Sequence, residues 1–375
     1  MRDTSASRNI GVDVLRGMAI LMVILLHLNL KVPFKETYLG ALLPKKWYSL
    51  FFWSGFYGVA MFFVISGYLI TNSAIQKWGN LPKMSIKHFY LMRFARIIPL
   101  LTGLLLVLSI LHLSGVPGFI LNPEKTSLIR ALFAALTFHF NWLEIQVGYL
   151  PANWDILWSL SIEEVFYLFF PVLCIFCRKE WHFVVLVSIF FIVSPWARTQ
   201  LFPGNELGDR NHLAYIDAIA IGCMTALLAH RVKIPKKIGV GLLTVGWIFI
   251  TFILFFRRTT YQWGLTKNGL YITVLAIGVG LVLLWMHSRH QSKKQVHYPI
   301  FRWLEHLGKH SYEIYLTHMF VIISLVALFK SWDLSQFWIT PLYLLTIVFS
   351  LLLGKAIARY FTNPINRWLR KKWIP

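Results

Sequence analysis

The chain has 375 residues, of which 57% are hydrophobic, 16% aromatic and only 14% charged, and its mean hydropathy is +0.61. So much apolar side chain has no place to hide in a soluble domain, which leaves an all-α, polytopic membrane helix bundle. The net charge of +22 does not mark a nucleic-acid binder, because the Lys and Arg residues fall between apolar runs, where they set topology, rather than in one patch.

Residues 1–9 are polar and read as a cytoplasmic tail. No small-residue cleavage site follows, so the first apolar run, 10–30, is expected to be a retained helix rather than a signal peptide. It carries Asp13, Arg16 and His27. Eleven residues turn an α-helix through about 1100°, three turns and roughly 20°, so Arg16 and His27 share one stripe separated by a rise of about 16 Å. Ionisable groups at membrane depth are costly and by default belong to a site. The alternatives are an Arg that snorkels to the headgroups and a His that satisfies a neighbouring helix.

Nine further runs approach the about 20 residues needed to cross a bilayer: 50–74, 97–116, 157–177, 183–199, 213–230, 238–256, 269–287, 308–329 and 338–359. With the first they make ten crossings. The shorter run 127–142 is expected to enter as a half-helix, because leaving it uncrossed gathers most Lys and Arg on one face. That face holds Lys77, Lys83, Lys87, Arg93 and Arg96, then Arg178 and Lys179, Lys293 and Lys294, and the basic 360–375 tail. Positive-inside then makes both termini and the 75–96 loop cytoplasmic, and exposes the 143–156 and 200–212 loops outside. Lys83 and Lys87 are expected to face headgroups. Residues 1–375 are expected to form one transmembrane domain with no soluble domain appended. Cys174, Cys177 and Cys223 lie in apolar runs without a nearby His at ligand spacing, so they read as small buried hydrophobes, and no metal site is expected.

The half-helix ends in His139, Asn141 and Trp142, where irregular backbone at membrane depth implies a cavity. With Trp154 and Trp158, these are acceptor-side candidates, although Trp also populates interfaces for its own reasons. The fourth run carries Ser159, Ser161, Glu163, Glu164 and Tyr167 in its outer half. Adjacent carboxyls point about 100° apart on a helix, so one at most is expected to meet a given partner. Glu163 shares a face with Ser159 and Tyr167 and lies at a depth like that of His27. A His beside a carboxylate makes a general base with a fixed tautomer; a structural clamp between helices is the alternative.

Five segments in order carry a family resemblance. They are Asp13-x-x-Arg16-Gly17 with His27 beyond it, Phe62-Phe63-Val64-Ile65-Ser66-Gly67-Tyr68, Arg93-Phe94-Ala95-Arg96-Ile97-Ile98-Pro99, Trp158-Ser159-Leu160-Ser161-Ile162-Glu163-Glu164-Val165-Phe166-Tyr167 with Pro171, and Ser311-Tyr312-Glu313-Ile314-Tyr315-Leu316-Thr317-His318. Together they resemble the acyltransferase-3 family of integral-membrane acyltransferases over nearly the whole chain.

The resemblance implies transfer of an acyl group, most often acetyl from cytoplasmic acetyl-CoA, to a hydroxyl of a carbohydrate such as a lipopolysaccharide O-antigen or another cell-surface glycan, free or lipid-linked, at a bacterial inner membrane. It makes His27 the catalytic His, Arg16 its partner along the stripe, and Arg93 and Arg96 the donor-binding groups. His27 either deprotonates the acceptor or takes the acyl group itself. Ser66, Tyr68, Asp13, Tyr167, Asp217 and His318 are acceptor-side or structural candidates; the Ser66-Gly67-Tyr68 turn also suits plain helix packing, and a lone mid-helix His318 suits an interhelical hydrogen bond. The chain departs from the family where Tyr215-x-Asp217 stands in place of Arg-x-Asp. Some members carry an esterase-like domain; without one, the membrane part is expected to recognise the acceptor alone or with a partner. Intramembrane His, Glu and Arg also suit a proton-coupled transporter, but no inverted pair of broken helices is evident.

Overall fold

The structure is a computed structural model that describes residues 9–177, 179–291 and 299–373. Residues 1–8 of the first tail, residues 374–375 of the second, and Arg178, Lys293 and Lys294, expected to set topology, lie outside the described residues. Among the described residues every regular element is helical. Ten helices are long and apolar enough to cross a membrane: Ile10–Asn29, Gly55–Trp78, Ile86–Leu113, Leu157–Phe176, Trp181–Gln200, His212–Arg231, Lys236–Phe255, Leu270–His290, Ser311–Ser331 and Gln336–Trp373. They fall on the ten runs expected from hydropathy and are called here the first to the tenth span.

Their ends differ from the apolar runs where long cations intervene. The 75–96 segment expected as a loop is mostly helix: the second span continues to Trp78, and the third starts at Ile86, where the Ser85 side chain accepts a hydrogen bond from the His88 amide. Lys87, Arg93 and Arg96 therefore project from the first turns of a 28-residue helix. A long basic side chain can lay its stem along apolar surface, so its presence does not end a helix. The 360–375 tail is likewise helical over much of its length, since Ile339–Ile357 passes through a π-helical turn, Ala358–Thr362, into Asn363–Trp373. The 308–329 run is interrupted at His310, with a short connector helix, Arg302–Lys309, before the ninth span. The 127–142 run folds as two short helices, Leu128–Leu136 and Phe140–Val147, broken at Phe138, whose φ of 57° is left-handed. A bulky residue adopts that conformation only when its surroundings enforce it.

Glycines set the closest helix contacts. The second span packs on the sixth, and the first packs on the second and on the connector helix. A Cβ at Gly67 would stand 2.0 Å from the Ile219 carbonyl oxygen, and one at Gly222 would stand 2.0 Å from that of Val64. Gly17 and Gly308 make the matching contact between the first span and the connector, with the added Cβ atoms 2.0 Å from Leu304 O and 1.7 Å from Asp13 O. Small residues let backbones touch where lipid supplies no hydrophobic drive between helices. The Gly of the Ser66-Gly67-Tyr68 motif is thereby a packing residue, and it holds Ser66 at the centre of the bundle.

Gly67→Ala is expected to destabilise the bundle by about 1–3 kcal/mol through overpacking. Gly241→Ala, where an added Cβ meets nothing within 4 Å, is expected to be neutral or stabilising by roughly 0.5–1 kcal/mol. Thermal unfolding of both variants in one detergent checks the contrast, and equal effects would contradict the packing role.

Candidate active site

The spans converge on a polar cavity of about 210 Å³ lined by Arg16 from the first span, Ser66 from the second, Arg93 and Arg96 from the third, Ser159, Glu163, Glu164 and Tyr167 from the fourth, and Ser311, Tyr312 and Tyr315 from the ninth. The Ser66 and Tyr167 hydroxyls both donate to Glu163 Oε1. The Arg93 guanidinium lies 4.4 Å from the centre of the Tyr167 ring, and Arg96 lies 5.0 Å from that of Tyr312 while pairing with Glu313 at 3.2 Å. Glu164 Oε1 is buried with no hydrogen-bond partner among the described residues. A second recess, of about 350 Å³, shares Arg16 and Arg96 with the first and adds Asp13, Lys309 and His310. Arg16, Arg93, Arg96 and Lys309 thus stand among the carboxyls of Asp13, Glu163, Glu164 and Glu313.

At the other end of the cavity stand Ser159, Tyr315 and Leu316. The Tyr315 hydroxyl is 2.6 Å from Ser159 Oγ, and its ring lies 6.0 Å from that of His318. His318 in turn meets His27, Nε2 to Nδ1, at 2.9 Å. His318 has no exposed surface, while His27 is half-buried. Tyr315 is therefore the wall between the cavity and a histidine pair.

Beyond the pair, Arg210 is shared by two carboxylates. Its Nη1 donates to Glu144 Oε2 and, at 2.9 Å, to Asp155 Oδ1, and the guanidinium lies 4.8 Å from the Trp158 ring and 4.9 Å from that of Tyr149. Burial opposes its charge, but Asp155 and Glu144 hold the guanidinium above its ordinary value. Its neighbour Asp209 is pushed up to about 6 by burial, against the pull of Arg210 and Arg198. Trp142 donates through Nε1 to His212 Nδ1 at 2.5 Å, and His212 Nε2 donates to the Phe138 carbonyl at 3.0 Å, which ties the left-handed break to this loop.

Of the residues singled out from sequence, Arg16, Ser66, Arg93, Arg96, Glu163 and Tyr167 share one cavity, Asp13 lines the adjoining recess, and His27 meets His318. The partner of His27 is a second histidine; Glu163 accepts from Ser66 and Tyr167, all within the cavity wall. Tyr68 and Asp217 lie elsewhere. Tyr68 OH is 2.7 Å from His287 Nδ1, and Asp217 is fully buried in a clamp with Arg198 and Thr273. The basic group missing at position 215 is thus supplied to Asp217 by Arg198, whose guanidinium lies 5.8 Å from the Tyr215 ring. Trp154 is fully buried against Phe140, and Asn141 donates to the Arg210 carbonyl, so both hold structure. Sequence reasoning missed Arg210, Glu144 and Asp155. A lone acid in the apolar Phe140–Val147 helix was the available signal. Among the described residues no group of three His, Cys, Asp or Glu gathers to hold a metal.

A multi-pass helix bundle with this interior is an integral membrane protein. The family described as "Acyltransferase domain", the acyltransferase-3 family, matches residues 9–359, and the chain belongs to it. It is 26% identical over 381 residues to the O-acetyltransferase OatA of Staphylococcus aureus, covering 95% of this chain and 57% of that one. It is 27% identical over 379 residues to the peptidoglycan O-acetyltransferase OatA of Listeria monocytogenes, covering 95% and 56%. The chain thus spans little more than half the length of these relatives. No solved structure matches it.

Arg210→Ala is expected to cost about 3–5 kcal/mol of stability, because it leaves the fully buried Glu144 beside Asp155 without its cation. Adding Glu144→Gln to Arg210→Ala is expected to recover part of that loss. Thermal unfolding of the single and double variants checks the sign, and a further loss in the double variant would contradict the ion cluster.

Proposed function

We propose that this chain is an O-acyltransferase of a bacterial inner membrane, with both termini cytoplasmic, that moves an acetyl group from cytoplasmic acetyl-CoA to a hydroxyl of a cell-surface glycan. The observation that carries the reading is one cavity with Arg16, Arg93 and Arg96 at one end and, past Tyr315, a histidine pair at the other. Coenzyme A has phosphates at one end and its thioester at the other, and arginine suits phosphate because its fork donates two parallel hydrogen bonds. Arg93 and Arg96 hold the phosphates while the pantetheine arm runs inward. The Arg16-to-His27 rise of about 16 Å is on the scale of that arm. The identity of the acceptor class draws on the peptidoglycan named for the Listeria relative.

In the transfer, His27 takes the proton of the acceptor hydroxyl as its oxygen attacks the thioester carbon. The carbon–sulfur bond breaks, and the departing thiolate takes a proton. Glu163 acts at a distance from this step, holding the Ser66 and Tyr167 hydroxyls so that Tyr167 presents its ring to Arg93. Arg210, Asp155 and Tyr149 stand on the acceptor side of the pair.

Donor affinity and single-turnover rate, measured with radiolabelled acetyl-CoA on purified protein, test the assignment. Arg93→Ala and Arg96→Ala are each expected to weaken acetyl-CoA binding by about tenfold or more, the worth of a charge-assisted hydrogen bond, with Lys restoring it only in part. His27→Ala is expected to keep donor affinity and lose about 10²–10⁴ in rate. Unchanged donor affinity in both arginine variants, or wild-type turnover by His27→Ala, would overturn the reading.

A further inference from the structure

We infer that His318 is a positioning residue that fixes the tautomer of His27, leaving its Nε2 bare to take a proton, and shares the positive charge that results. The inference rests on His27 being the base of the proposed transfer, but its geometry is independent of that reading. A carbonyl oxygen only accepts. His318 Nδ1 lies 2.7 Å from the Tyr315 carbonyl oxygen and 3.2 Å from that of Ile314, so that nitrogen carries hydrogen. Among the described residues neither ring has a carboxylate at ion-pair distance. His318 has no exposed surface, and a buried cation without a partner is strongly disfavoured, so both rings rest neutral. A neutral ring has one N–H. His318 Nε2 is therefore an acceptor, and the atom facing it at 2.9 Å, His27 Nδ1, is the donor. The lone pair of His27 is then on Nε2, and His27 is the less buried residue of the two.

The consequence for the reaction is a two-ring relay. When the acceptor proton arrives on His27 Nε2, the Nδ1 proton of His27 moves toward His318 Nε2, while the Nδ1–H of His318 stays on the two carbonyls. The charge is spread over both rings without a carboxylate. As the thiolate takes the proton from His27 Nε2, the shared proton returns to Nδ1, and the pair is restored.

Two variants separate the parts of this role. Gln at 318 places an amide near the former Nε2, so its oxygen can keep the His27 tautomer but takes no proton; Leu removes the acceptor altogether. Ring-15N spectra of histidine-labelled protein, with the His27 signals assigned by their loss in His27→Ala, read the tautomer without any turnover. The wild type is expected to show His27 protonated at Nδ1 alone, His318→Gln the same, and His318→Leu a mixture. In single-turnover assays kcat is expected to fall about tenfold in His318→Gln and about 10²-fold or more in His318→Leu, within the range of acid–base effects, with KM for acetyl-CoA unchanged in both. A resting His27 protonated at Nε2, or wild-type kcat in His318→Leu, overturns the inference. Should His27→Ala turn over like the wild type while the spectra show the expected tautomer, the proposed function fails and the pairing stands.

Discussion

Charge carried into the apolar interior is costly unless another protein group meets it, and the bundle is organised by the pairs that do so. Arg198 joins the fifth span to Asp217 on the sixth, with Thr273 of the eighth donating to the same carboxylate at 2.6 Å. Arg210 ties its loop to Glu144 in the broken helix and to Asp155 before the fourth span. Arg96 on the third span pairs with Glu313 on the ninth. Removing one partner of such a pair costs far more than the intact pair contributes, roughly 3–5 kcal/mol, because the remaining charge stays desolvated. These ties, together with the glycine contacts at Gly17 and Gly67, fix which helices face one another. They therefore decide which polar side chains share a space.

What shares that space is graded along its length. The arginines stand among carboxyls at the Arg93 end, a hydrogen-bonded Ser66–Glu163–Tyr167 set lines the middle, and neutral hydroxyls of Ser159 and Tyr315 close it next to two histidines. An anionic, elongated thioester is complementary to such a gradient, since its phosphates favour the guanidinium end and its uncharged reactive group the other. Membership of the acyltransferase-3 family agrees with a donor of that kind. The curated relatives are longer, with little more than half of each matched by this chain, so the likeness speaks to the matched part alone.

The spans were legible because a run of about 20 apolar residues has few other uses. Helix ends were less so. Arg93 and Arg96 look like a loop by hydropathy, yet they belong to a helix that starts at Ile86. The polar residues that share the cavity were also largely legible, since an Arg, Glu or His inside an apolar run stands out against its neighbours. Their partners were not. His27 and His318 are separated by 291 positions, Ser66 and Glu163 by 97, and periodicity along one helix carries no information on which helix packs against it. The expected neighbour of His27 was a carboxylate at similar depth, Glu163; that carboxylate accepts from Ser66 and Tyr167. Arg210 escaped notice for a further reason. It sits in a loop, where a basic residue reads as a topology signal, and only the fold shows it drawn inward onto Trp158.

The most direct measurement of the central claim, that the cavity holds the donor between the arginines and the Tyr315 wall beside the histidine pair, is the position of a bound donor. An experimental structure with a non-transferable thioether analogue of acetyl-CoA is predicted to show its phosphates against Arg93 and Arg96 and its acyl-side carbon beside Tyr315, within reach of His27 Nε2. Phosphates bound away from both arginines, or an acyl end on the far side of the bundle from His27, would contradict the account.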